Sequence, residues 1–195
     1  MSDPALVYED NRPWTYREYR EWELKPGERY ELINGTAYAM AAPGLTHQDI
    51  LMMLSGEFYA FLKGKTCKVI PAPFDVRLFY EEDESDDTVV QPDIVVVCDP
   101  NKLGKEGCRG APDLVIEILS PSNTAIEMSR KLNLYRDAGV PEYWVVDPEA
   151  KNVQIYRFSG EHYGFEVLQT GDVLKTEKFP DLEIQLSDLF AGGTA

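Results

Sequence analysis

Three charged residues stand where apolar ones are expected, and their types suit holding a cation or stabilising negative charge. Leu114-Val-Ile-Glu-Ile-Leu119 is apolar on both alternating faces except at Glu117. Leu114, Ile116 and Ile118 share one face; Val115, Glu117 and Leu119 share the other. A carboxylate buried there unpaired would be costly or would take up a proton, so Glu117 requires a cation, a metal ion or water. Gln91-Pro92-Asp93 opens the apolar run Ile94-Val-Val-Val97 and sets a second carboxylate at the mouth of that strand. Two strand-borne carboxylates of this kind can converge.

The third residue lies on a helix predicted over Ala125 to Ala138. At roughly 100° per residue, Met128, Leu132, Leu134, Tyr135 and Ala138 define its apolar face. Ser129, Arg130, Asn133, Arg136 and Asp137 fall opposite, whereas Glu127 and Lys131 fall within the apolar arc. A lysine on a core-facing stripe needs a carboxylate or a cavity for its ammonium. The short connection Ser120-Pro-Ser-Asn123 brings this helix back over the strand that carries Glu117. A purely structural Lys131–Glu117 bridge is the competing reading of the pair.

The elements that must position these residues are legible around them. Thr15 with Glu18 forms a capping-box signature for a short helix from Tyr16 to Leu24, stopped by Pro26-Gly27. Asn34-Gly35 joins the strands Arg29 to Ile33 and Thr36 to Met40 as a hairpin. Thr46 can cap a second helix, whose apolar positions Ile50, Leu51, Leu54, Phe58, Phe61 and Leu62 recur at helical spacing before Gly64. Cys67 to Ile70, Phe74 to Phe79, Ile94 to Val97, Leu114 to Leu119 and Tyr143 to Val146 read as the strands of one sheet. The order strand, helix, strand across Leu114 to Val146 predicts a crossover with parallel strands. Val153 to Phe158, Tyr163 to Leu168 and Val173 to Lys178 read as further hairpin strands. The expectation is one α/β domain over residues 1–195, with a mixed sheet flanked by helices and extra β-hairpins in its C-terminal part.

Composition narrows the class. With 44% hydrophobic residues the 195-residue chain can build a core, and only Met1 to Pro4 and Gly192 to Ala195 look frayed. No apolar run approaches the roughly 18 residues needed to cross a bilayer, so a cytoplasmic location without membrane contact is expected. Cys67, Cys98 and Cys108 are odd in number and lack close spacing, which predicts reduced thiols rather than a disulfide or a zinc site. The net charge of −15, from 34 acidic against 19 basic residues, opposes approach to a polyanion. Glu81, Glu82, Asp83, Glu84, Asp86 and Asp87 crowd one segment that reads as a solvated loop or hairpin tip.

Five motifs in order carry a resemblance. Tyr30-Glu-Leu-Ile-Asn-Gly35, Gln91-Pro-Asp-Ile-Val-Val96, Asp113-Leu-Val-Ile-Glu-Ile-Leu-Ser-Pro-Ser122, Arg130-Lys-Leu-Asn-Leu-Tyr135 and Gly139-Val-Pro-Glu-Tyr-Trp-Val-Val-Asp-Pro148 resemble the Uma-type restriction endonuclease family, a bacterial branch of the PD-(D/E)XK nuclease superfamily. The likeness runs from about Thr15 to Leu189.

The resemblance implies a restriction-endonuclease-like fold and hydrolysis of phosphodiester bonds in nucleic acid, with DNA as the expected substrate. It makes Pro92-Asp93 the PD element and Glu117 the acid of the second element. Leu119 then occupies the usual lysine position, and Lys131 on the following helix supplies the missing ammonium. Glu127 stands where relatives usually carry Asp. Glu31 is implied as an additional carboxylate, reaching the metal directly or through water. Asp93, Glu117 and the Ile118 carbonyl would form an oxygen donor set suited to Mg2+ or Mn2+. His47 could line the cleft, although packing of its ring against the core is the simpler expectation, and Gln91 and Ser120 could orient their neighbours. Cutting both strands of a duplex implies a symmetric homodimer. The alternative is a nuclease-fold module that binds or interacts without cutting. Asp93, Glu117 and Lys131 are expected to converge on one cleft at the edge of a mixed sheet.

Overall fold

The computed structural model describes residues 12–22, 28–159 and 162–192; the Pro26-Gly27 stop and the first four residues fall outside that range. Thr15 caps helix α1 (Tyr16–Glu21) through the capping box with Glu18. The helix ends three residues before the expected Leu24, because Trp22 turns extended and packs its ring against Trp14 and Tyr30, with centroids 5.0 and 4.6 Å away. Asn34 and Gly35 both take positive φ, 49° and 72°, as a type I′ turn requires. That turn sets strands β1 (Tyr30–Ile33) and β2 (Thr36–Ala39) in register, Ile33 opposite Thr36.

Helix α2 (Leu45–Leu62) starts after Gly44 rather than at a Thr46 cap. Its buried residues Ile50, Leu54, Phe58 and Leu62 recur every four positions and face the sheet. Then follow β3 (Lys68–Pro71), β4 (Val76–Arg77), β5 (Val89–Val90), β6 (Ile94–Val97), β7 (Leu103–Gly104), β8 (Gly107–Arg109) and β9 (Leu114–Ile118). Helix α3 (Ala125–Asp137) crosses to β10 (Glu142–Asp147), and the chain continues as β11 (Asn152–Ser159), β12 (His162–Gln169), β13 (Val173–Leu174), β14 (Ile184–Gln185) and α4 (Leu186–Leu189).

Twelve of the strands divide between two six-stranded sheets rather than forming the single one expected, and β13 and β14 pair apart from both. The larger has the order β12-β11-β10-β9-β6-β3, and the smaller β2-β1-β5-β4-β8-β7. In the larger sheet β9 and β10 are parallel, as the crossover predicts, and its other pairs are antiparallel. The predicted strand Phe74 to Phe79 shrinks to Val76–Arg77 and joins the smaller sheet. Val173 to Lys178 shrinks to Val173–Leu174, paired with Ile184–Gln185.

Both faces of the larger sheet are buried. One face, with Ile94, Val96, Leu114, Ile116 and Trp144, packs on α2 and α4. The other, with Val95, Val115, Tyr143 and Val145, packs on Leu134 and Tyr135 of α3 and on Val76 and Val90 of the smaller sheet. Glu31, Asp93 and Glu117 lie between α3 and the two sheets. Among the described residues no helix is long and apolar enough to cross a membrane.

Two expectations from composition are corrected. The acidic segment is not wholly solvated: Asp86 is buried and pairs with buried Arg77, whose Nε donates to Oδ2 at 2.9 Å and whose Nη2 donates to Oδ1. Strand β4 carries that arginine beneath the loop. Cys67 and Cys98 form a disulfide and only Cys108 is a free thiol. Lys68 opposes Val97 in the antiparallel pair, so Cys67 and Cys98 meet just beyond it. An odd cysteine count carries no information about that register. Closing a separation of 31 residues stabilises the native state by roughly 3–4 kcal/mol in the chain-entropy account. Reductant should lower the denaturation midpoint accordingly in the parent protein and leave Cys67→Ser unchanged.

Candidate active site

Strand register creates the central pair. Ile94 opposes Ile116 across β6 and β9, so Asp93 opposes Glu117 one residue further. Directly opposed side chains lie on the same face of a sheet. Both strands are internal to the sheet; the cleft therefore lies over the ends of two central strands and not at a sheet edge, because the β10 to β12 meander extends the sheet beyond them. Asp93 Oδ2 accepts the Ile118 N–H at 2.7 Å, which fixes the Asp93 carboxylate against the adjoining strand.

Helix α3 brings Lys131 onto this pair. Thr124 caps the helix, its hydroxyl accepting the Glu127 N–H at 3.2 Å. Glu127 closes the capping box and accepts the Asn123 amide at 3.1 Å, so its place in the apolar arc serves the helix start. About two turns of helix carry the chain from the cap to Lys131 and a third carries it to Tyr135, and the two side chains project toward the sheet together. Lys131 Nζ donates to Glu117 Oε1 at 2.9 Å, and the Tyr135 hydroxyl donates to the same oxygen at 2.6 Å. Glu117 Oε2 accepts no hydrogen bond from the described residues, although Glu117 lines the cleft.

Glu31 enters from β1. It is buried, it contacts Lys131 Nζ through both oxygens at 3.2 Å, and it accepts the Gln91 N–H at 2.9 Å. The ammonium is thus shared between Glu117 and Glu31, and Glu31 joins the site through the lysine. Gln91 orients Glu31 with its main chain, while its side chain accepts from Arg29 at 2.9 and 3.1 Å and donates to Asp75 at 2.8 Å. Ser120 stands in the cleft wall, and its N–H is taken by Asn123 at 2.7 Å.

His47 does not simply pack against the core. From the first turn of α2 its Nε2 reaches Asp93 Oδ1 at 3.2 Å, while Nδ1 is buried without a partner among the described residues. Leu119 lies at the margin of the second core cluster. Sequence reasoning missed Tyr135 as a partner of Glu117, since a tyrosine on an apolar face raises no anomaly. It missed Arg29 because nothing local marks that residue.

The electrostatics follow from burial. Burial pushes Glu117 above the usual carboxylate value of 4.5, to about 7; Lys131 and the Tyr135 hydrogen bond oppose the shift, and Asp93 and Glu31 add to it. Burial would lower Lys131, but Glu117 and Glu31 outweigh it and hold the ammonium well above its ordinary value. Burial likewise opposes a charged His47, and Asp93 overcomes it to raise the imidazole. Ionised together, Asp93, Glu117 and Glu31 set three carboxylates around Lys131, with Arg29, His47 and Arg130 as the other basic side chains of the cleft.

The cleft encloses about 220 Å3 and is lined by Arg29, Glu31, His47, Asp93, Glu117, Ile118, Ser120 and Lys131 among others. Among the described residues no group of three His, Cys, Asp or Glu side chains forms a metal-holding cluster. A hard cation could instead take two carboxylates and a main-chain oxygen, namely Asp93, Glu117 Oε2 and the Ile118 carbonyl. The donor set fits, since it is all oxygen and carries a surplus of negative charge.

Comparison with known proteins agrees with this architecture. Residues 16–187 match the model of a family described as Uma2, "Putative restriction endonuclease". The uncharacterized protein slr1290 of Synechocystis sp. is 28% identical over 140 residues, which cover 71% of each chain. A solved structure described as a putative nuclease belonging to DUF820, from Anabaena variabilis, superposes with a TM-score of 0.73. Its sequence is 22% identical, and the match covers 92% of this chain and 98% of that one. That likeness establishes the mixed α/β fold.

Proposed function

Because this chain belongs to the Uma2 family of putative restriction endonucleases, we propose that it is a divalent-metal-dependent endonuclease that hydrolyses phosphodiester bonds in DNA. The observation that carries the reading is the arrangement of the carboxylates: Lys131 bridges buried Glu31 and Glu117, half-buried Asp93 stands beside them against His47 and the Ile118 N–H, and Glu117 Oε2 accepts no hydrogen bond from the described residues. A purely structural bridge would need neither the third carboxylate nor the unused oxygen.

In this reading Asp93, Glu117 and the Ile118 carbonyl hold Mg2+ or Mn2+, and Glu31 acts through Lys131. When bound, the ion would polarise a phosphate oxygen and lower the pKa of water beside it. Tyr135 and Lys131 fix Oε1 of Glu117 and so present Oε2. Lys131 positions water and stabilises the negative charge that gathers on the phosphoryl oxygens. His47 and the Ile118 N–H restrain the two oxygens of Asp93. Two sites facing one duplex would come from a symmetric homodimer.

The pH dependence follows in sign. Glu117 must be ionised to hold the cation, so Mn2+ affinity should fall about tenfold per pH unit below about 7 and level off above it. In the metal-free protein the raised value has the opposite consequence. The contribution of Glu117 to stability is full below about 4.5 and is lost as pH rises through about 7. Calorimetric titration with Mn2+ between pH 5.5 and 8.5 would check the first statement; affinity independent of pH would contradict it.

The function is tested by incubating plasmid DNA, single-stranded DNA and RNA with the protein in Mn2+ and in EDTA. Metal-dependent cleavage of DNA supports the reading. The net charge of −15 allows a second reading, a module on the nuclease fold that binds or interacts without cutting; absence of cleavage on all three substrates in Mn2+ would favour it.

A further inference from the structure

Alternation along a strand turns the N–H and C=O of one residue to the same side, and those of the next residue to the other. Three hydrogen bonds fix these directions at the site. The Leu119 N–H donates to Val146 O at 2.8 Å, toward β10, so Ile118 faces away from β10 and toward β6. The Ile118 N–H indeed goes to Asp93 Oδ2 at 2.7 Å. On the facing strand, Asp93 O accepts from the Ala72 N–H at 2.8 Å, away from β9, so residues 92 and 94 turn toward β9.

The register then decides what meets the Ile118 carbonyl. Ile94 opposes Ile116, and two residues further along, position 92 opposes Ile118. A ladder residue there would donate its N–H to the Ile118 carbonyl. Position 92 is Pro92, buried and without an N–H. The β10 side cannot replace the missing donor, because the carbonyl is turned from it. Asp93 takes over one half of the interrupted pair by accepting the Ile118 N–H, and the other half, the carbonyl, has no hydrogen-bond partner among the described residues and belongs to a residue of the cleft wall beside Asp93 and Glu117.

We propose that Pro92 is a positioning residue whose missing N–H keeps the Ile118 carbonyl open as an oxygen ligand for a hard divalent cation. This rests on the metal reading above and assigns to Pro92 a task that packing does not require. Buried carbonyls are nearly always paired, so one left open next to two carboxylates stands ready for a cation. Any other residue at position 92 would offer a competing proton to that oxygen.

Backbone NMR tests the proposal in two proteins. In metal-free Pro92→Ala, the amide introduced at position 92 should be protected from hydrogen exchange about 100-fold or more, and Mn2+ affinity should fall about tenfold. In the parent protein, Mg2+ should shift the Ile118 carbonyl carbon together with the carboxylate carbons of Asp93 and Glu117. A structural proline would leave that carbonyl signal unmoved. Free exchange of the introduced amide, or carboxylates that respond to Mg2+ while the Ile118 carbonyl does not, would overturn the proposal alone. If Pro92→Ala does not fold, the Ile118 signal of the parent protein decides. Silence of all three carbons in saturating Mg2+ would overturn the metal reading and this proposal together.

Discussion

Lys131→Met is expected to abolish metal-dependent cleavage, by at least about 100-fold, and also to destabilise the metal-free protein. The methionine keeps the packing of the lysine stem but withdraws the ammonium that contacts both Glu117 and Glu31. Removing one partner of a buried ion pair costs roughly 3–5 kcal/mol. The loss should be greatest above about pH 7, where Glu117 is ionised, and should shrink as pH falls and that carboxyl takes up a proton. Denaturant unfolding at pH 5.5 and 8.5 would measure it. The double substitution Lys131→Met with Glu117→Gln separates structure from chemistry. Neutralising Glu117 should recover much of the stability and none of the activity. Full activity in a destabilised Lys131→Met would reduce the lysine to a bridge.

Asp93→Asn should remove cation binding while leaving the fold in place. Asparagine retains an oxygen that can accept the Ile118 N–H, so the contact between β6 and β9 survives. The substitution also withdraws one negative charge from a crowded site, so the metal-free variant should be no less stable than the parent. The difference lies in the response to metal. A ligand at about 100 times its Kd stabilises the native state by about 2.7 kcal/mol. Mn2+ should therefore raise the melting temperature of the parent protein and not that of Asp93→Asn. An equal rise in both would place the cation elsewhere.

The parts of this site visible in the sequence were those that break a pattern. Glu117 interrupts an apolar strand and Lys131 interrupts an apolar helical stripe; each marks a burial that needs a partner, and the two are 2.9 Å apart. Asp93 and the crossover to β10 follow from local strand and helix signals in the same way. Tyr135 was hidden because it satisfies the apolar pattern that it occupies, although it donates to the same Glu117 oxygen as Lys131. His47 was expected to pack on the core because its partner Asp93 is 46 positions away in sequence, and only the fold brings them to 3.2 Å. The disulfide and the split into two sheets depend on pairings between distant strands. Short strands such as Val76–Arg77 have too few residues to announce their neighbours.

The most direct measurement is anomalous diffraction from crystals soaked in Mn2+. The account predicts an anomalous peak bounded by the Asp93 carboxylate, Glu117 Oε2 and the Ile118 carbonyl, absent from Asp93→Asn crystals treated alike. A cleft without that peak at saturating Mn2+, or a peak that persists unchanged in Asp93→Asn, would contradict it.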